Sequence, residues 1–62
     1  MMKKGTWRKI CEALPEELLL RVMEDIETDP DFHRAGPRAD ELRWKLEIAS
    51  DVYAKRFGRE EE

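Results

Sequence analysis

Between Gly36-Pro37 and Gly58 the chain runs without a helix breaker, and its apolar positions follow helical spacing. Leu42, Leu46, Ala49, Tyr53 and Phe57 recur every three or four residues, as on one face of a helix. Pro37 suits a first helical position, because the N–H it lacks has no partner there. Gly58 suits the position past the end, and Lys55 and Arg56 favour the negative pole of the helix dipole. These signs predict one long helix over residues 37–57. Trp44, Ile48 and Val52 form a second stripe at i, i+4 and i+8. At about 100° per residue this stripe lies well over a quarter-turn from the first. A helix with two apolar stripes wants two partners.

The preceding segments supply candidates. Trp7, Ile10, Cys11 and Leu14 share a face at i, i+3, i+4 and i+7, predicting a short helix over residues 7–13 with Thr6 as its N-cap. At about two turns it cannot stand alone and must dock. Residues 1–5 read as a disordered basic lead and residues 59–62 as a disordered, solvated acidic tail. Pro15, followed by Glu16 and Glu17, predicts a second helix over residues 15–28, which stops before Asp29-Pro30 because the residue before proline avoids helical geometry. Its core face is Leu18, Leu19, Val22, Met23 and Ile26, with Glu17 and Arg21 paired on the wet side. Leu20 lies off that face. Residues 29–36 read as a connection containing a turn at Asp29-Pro30-Asp31-Phe32, with Phe32 plugging the end of the hairpin. No segment alternates in the manner of a strand.

The expected fold is therefore all-α, a single small helical domain. A short N-terminal helix leads into an antiparallel helical hairpin with a long C-terminal helix. Leu42, Leu46 and Tyr53 should face Leu18, Val22 and Ile26. The second stripe then meets either the Trp7 helix, giving a monomeric three-helix bundle, or a second subunit. The favoured arrangement is a homodimer, a helical bundle built from two hairpins, because three large apolar side chains exceed what two turns of helix cover.

Length sharpens the question. A 62-residue chain buries only roughly 60% of its unfolded surface, so its stability needs reinforcement. Cys11 is the only cysteine, which excludes an internal disulfide and a cysteine-rich zinc site and suggests a reducing compartment. Cys11 itself reads as a small buried hydrophobe. No apolar run follows the basic start, and nothing approaches the roughly 20 apolar residues that span a bilayer; a soluble, cytoplasmic protein is expected. Charged residues make up 44% of the chain and the net charge is −3, against the basic surplus usual in nucleic-acid binders. There is no Asn and no Gln, a bias shared with hyperthermophile proteins, so a thermophilic or GC-rich source is expected.

Few residue sets suggest chemistry. Asp29, Asp31 and His33 alternate, but Arg34 stands where a calcium loop needs Gly, and Asp40 where it needs a bidentate Glu. Turn chemistry is the plainer reading, and no metal or cofactor is expected. The neighbouring carboxylates Glu24 and Asp25 would need a pocket to split their pKa values, and a helical chain of this size leaves little room for one. Arg34, Arg38, Arg43 and Lys45 cluster near the start of the long helix and could contact phosphates; Asp40, Glu41 and Glu47 could instead neutralise them.

Leu14, Pro15, Glu16, Glu17, Leu18, Leu19, Leu20, Arg21 and Val22 resemble the opening of an F-box, which implies binding to a ubiquitin-ligase subunit. The likeness covers those nine residues. The size, the hairpin and the ending Arg56-Phe57-Gly58 are similar to the plasmid RNA-binding helical-hairpin dimers of the Rop type, which implies a dimer; the RNA-contacting residues of that family have no counterparts here. The expected function is that of a non-enzymatic interaction or regulatory module acting through Trp44, Ile48, Val52 and Leu20 on itself or another helical protein. The alternative is a nucleic-acid-binding regulator using Arg34, Arg38, Arg43 and Lys45.

Overall fold

A computed structural model describes residues 2–58. Among them are three α-helices and no strand: α1 (Lys4–Ala13), α2 (Glu16–Thr28) and α3 (Pro37–Phe57), with a 3₁₀ turn at Pro30–His33. The acidic tail over residues 59–62, read above as a solvated end, lies outside the described residues, as does Met1.

The bounds of α3 follow its stop signals. Gly36 takes φ of +122°, a conformation that side chains rarely adopt, and its carbonyl accepts from Asp40 N–H at 3.0 Å. Gly58 has an ordinary φ of −68°, so its role is close approach. Its N–H donates to Tyr53 O and Ala54 O, and a Cβ added there would stand 2.5 Å from Ala54 O. At α2, Pro15 is the N-cap, one residue outside the expected start, within the usual latitude of helix ends. Its carbonyl accepts from Leu19 N–H at 2.9 Å. Thr28 closes α2 by donating its hydroxyl to Glu24 O at 2.9 Å. The connection holds its turn through the Asp29 side chain, which accepts from Asp31 N–H at 2.9 Å.

The N-terminal helix differs from expectation. It begins at Lys4, with Lys3 as its N-cap, so Lys4 and Gly5 are helical and Thr6 lies inside the first turn. Trp7 N–H donates to Lys3 O at 3.0 Å. The extra turn places the Lys4 ammonium over the Trp44 ring, 5.8 Å from its centroid, a favourable cation–π contact.

Both α1 and α2 pack chiefly on α3, and the 3₁₀ turn packs there too. The pairings Trp7 with Lys45, Arg8 with Asp51 and Leu14 with Arg56 make α1 run in the same direction as α3. The bond between Glu16 and Tyr53 at one end and the pairing of Asp29 with Arg38 at the other mark α2 as antiparallel to it. The helices converge on Cys11, Leu19, Ala49 and Val52, each at most 1% exposed. Ala49 has only a methyl group, so Cys11 and Leu19 can approach α3 closely over it. Trp7, Leu14, Met23, Ile48, Tyr53 and Phe57 wall this cluster. Ile26, Ala39 and Leu42 are buried toward the connection.

Three expectations about faces are corrected. Leu18 is 51% exposed, and the seam of α2 runs through Leu19, Met23 and Ile26. The helix is rotated because it fills a corner beside α1 as well as covering α3, and Leu19 reaches that three-helix junction. Leu46 is correspondingly only half-buried. Second, Val52 is 1% exposed, packed with Cys11 inside the chain's own core, and Ile48 is half-buried against it. The ten-residue α1, the first of the two partners expected for the second stripe, is longer than the pattern predicts and covers it. Ile10, grouped with the core face of α1, is 38% exposed. Arg21 lies 3.9 Å from Asp25 rather than pairing with Glu17.

The rotation of α2 is testable. Leu19→Ala should cost about 2–5 kcal/mol in urea unfolding followed by circular dichroism, as for other buried leucines. Leu18→Ala should change stability by less than about 0.5 kcal/mol. Equal losses would place both leucines in the core and overturn the register.

Candidate interaction surface

Packing divides the surface of α3 into three sectors. The first lies under α1 and is closed by polar bonds as well as apolar packing. Trp7 Nε1 donates to Lys45 O at 2.9 Å, and the Lys45 ammonium lies over the Trp7 ring, 5.3 Å from its centroid. Arg8 pairs with Asp51 at 3.0 Å. At the far end Arg56 donates to Leu14 O at 2.6 Å, just past the end of α1, and to Cys11 O at 2.9 Å, which also accepts from Leu14 N–H at 3.3 Å. The second sector lies under α2, where Tyr53 donates its hydroxyl to Glu16 at 2.8 Å.

The third sector is uncovered. Arg43, Leu46, Glu47 and Ser50 recur at i, i+3, i+4 and i+7, and with Phe32 from the 3₁₀ turn they line an open, mainly apolar groove of about 470 Å³. Phe32 does sit beside the hairpin, but as one wall of this groove and only half-buried. Phe32 walls the groove instead of plugging the hairpin, and Leu46, expected in the core, is only half-buried. Only the packed structure distinguishes a stripe that is covered from one that is half covered.

The four proposed interaction residues do not form one surface. Val52 is inside the core, Trp44 and Ile48 are half-buried on the α1 side of α3, and Leu20, 44% exposed, belongs to α2. Leu18 and Leu20 are two positions apart, hence about 160° apart around α2, and cannot share a contact patch.

The four cations do not form one patch either: Arg34 and Arg38 meet at Asp31, while Arg43 and Lys45 pair elsewhere. Arg38 lies 3.0 Å from Asp31 and 3.5 Å from Asp29, Arg34 lies 3.8 Å from Asp31, and Arg43 lies 3.3 Å from Asp40. Lys45 turns toward α1, 3.2 Å from Glu41. Each cation therefore has a carboxylate beside it, and Lys45 faces away from the groove that Arg43 lines. His33 is exposed and stands edge-on to Phe32, with ring centroids 5.1 Å apart. Among the described residues no group of three or more His, Cys, Asp or Glu side chains is placed to hold a metal ion, and no helix is long and apolar enough to cross a membrane.

No protein-family model matches the sequence, and no curated protein or solved structure matches it. The resemblances to the F-box opening and to Rop-type hairpins thus gain nothing from wider comparison.

Among the described residues three ionisable groups are shifted, each at a joint between helices. Burial pushes the Cys11 thiol up, with Arg8 acting against it and Glu12 with it. The bond from Arg8 holds the Asp51 carboxyl below its ordinary range, assisted by Lys55. The bond to Glu16 raises the Tyr53 phenol. A raised phenol contributes stability below the ordinary tyrosine range and loses it as pH climbs through the folded-state value. The lowered Asp51 contributes above the ordinary aspartate range and loses that contribution as pH falls through its folded-state value.

These signs give a measurement. The tyrosinate absorbance of folded protein should titrate above the free-tyrosine midpoint, and Glu16→Gln should bring it down toward that midpoint. An unchanged titration would mean the bond between Tyr53 and Glu16 does not form in solution. Cys11 should react with a thiol reagent at the rate of unfolding, and fast labelling of folded protein would contradict its burial.

Proposed function

We propose that the chain is a small, non-enzymatic interaction module that binds a helical protein, a second copy of itself included, through the open sector of α3. The observation that carries this reading is the groove between Phe32 and Leu46: an apolar floor rimmed by Arg43 and Glu47, on the one sector of the central helix that neither α1 nor α2 covers. Binding surfaces commonly combine an apolar centre with a charged rim. The three shifted ionisable groups serve helix joints, and Glu24 and Asp25 sit on the exposed side of α2, which favours action by contact over acid–base chemistry.

The test compares wild type with Leu46→Glu and Leu18→Glu by cross-linking and capture from cells of the source organism. A protein partner should be retained by wild type and by Leu18→Glu and lost with Leu46→Glu, while circular dichroism stays unchanged in all three. Capture indifferent to Leu46→Glu would refute the groove. Retention of nucleic acid alone, falling steeply with salt, would instead favour the regulator that uses Arg34, Arg38, Arg43 and Lys45.

A further inference from the structure

We infer that the occupant of the Phe32–Leu46 groove is a second copy of this chain, docked with its α3 antiparallel to the first across a two-fold axis midway between Arg43 and Glu47. The inference rests on the groove being the interaction surface, and adds the partner and the register.

The argument comes from the symmetry of the charges. A two-fold contact needs one patch that is complementary to itself. Arg43 and Glu47 stand one turn apart on the open sector, about 6 Å along the helix, and they are opposite in sign. Rotation about an axis midway between them sets Arg43 of each copy opposite Glu47 of the other, so one pair becomes two. Both ends of that exchange are available. Among the described residues Glu47 has no ion-pair partner within the chain, and Arg43 has only the exposed contact with Asp40 at 3.3 Å, of a kind that contributes little in water.

The apolar residues fit the same axis. Leu46 lies about 1.5 Å along the helix from it, so the two Leu46 side chains meet at the centre. Phe32 stands at the flank of each groove, and Leu46 and Phe32, half-buried in one copy, lose their remaining exposure. Farther out, Ser50 falls opposite Asp40 of the second copy, a small hydroxyl that can donate a hydrogen bond to a carboxylate.

The size of the patch sets the strength. Stable interfaces bury about 800 Å² per partner, and the whole chain exposes 4763 Å². Five residues line the groove, against roughly 20–30 on each side of a standard interface, so the dimer should be reversible and concentration-dependent.

Sedimentation equilibrium on the full chain tests this. Wild type should pass from 7.4 kDa to twice that mass as concentration rises. Arg43→Glu or Glu47→Arg alone should each raise the dissociation constant by about tenfold or more, because like charges then face each other. The double variant R43E/E47R should recover wild-type association, and so should an equimolar mixture of the two single variants. A monomer at every concentration would overturn the inference, as would a dimer indifferent to these reversals. A monomer that still captures another protein in a Leu46-dependent way would remove the second copy as occupant and leave the interaction reading standing. Neither association nor capture would remove both.

Discussion

The indole of Trp7 donates to the carbonyl of Lys45 at 2.9 Å, and the ammonium of the same lysine covers the ring. A helix of ten residues is marginal in water by itself, so α1 exists because it is docked. The bond fixes where along α3 it docks, and Arg56 fixes its other end by taking Cys11 O and Leu14 O. With both ends set, Cys11 falls over Ala49 and Val52, and Leu19 closes the cluster from α2. Loss of this joint would uncover Val52 and Ala49 together, two of the four residues at the convergence of the helices.

That geometry substitutes for the staples small domains often use. There is no disulfide, since Cys11 stands alone, and buried apolar volume is modest. Long side chains instead bridge helices and satisfy helix ends: Arg56 across to α1, Arg8 to Asp51, Tyr53 to Glu16 and Arg38 to the connection. Exposed ion pairs count for little individually. Here one ion pair, Arg8 with Asp51, and the hydrogen bonds of Trp7, Tyr53 and Arg56 connect groups distant in sequence, so they specify which helix lies where more than they add stability. Charge spent in this way is charge unavailable to a ligand, and the basic residues near the start of α3 illustrate it.

The same arrangement directs attention to the surface. The central helix has three sectors, two of them covered, and the third holds an apolar floor between opposite charges. The interaction module proposed above depends on that remainder. It is defined by what α1 and α2 leave open rather than by any motif, which is why no short signature in the chain marks it.

Local chemistry alone determined much of the fold. Pro37 and Gly58 bracket α3 because one lacks an N–H and the other a Cβ, and both effects act within a turn of the residue concerned. Asp29-Pro30 ends α2 for an equally local reason, and the burial of Cys11 follows from its place among Trp7, Leu14 and an apolar period. The start of α1 at Lys4, the rotation that exposes Leu18 and buries Leu19, the cover over Val52 and the opening beside Leu46 were decided by tertiary structure. Periodicity gives the direction of an apolar face to within about one residue's turn, and neighbouring leucines such as Leu18 and Leu19 both fall inside that margin. Which of them points inward depends on the angle at which a third helix enters, and that angle is set by Trp7, Arg8 and Arg56 reaching partners about forty positions away in the chain.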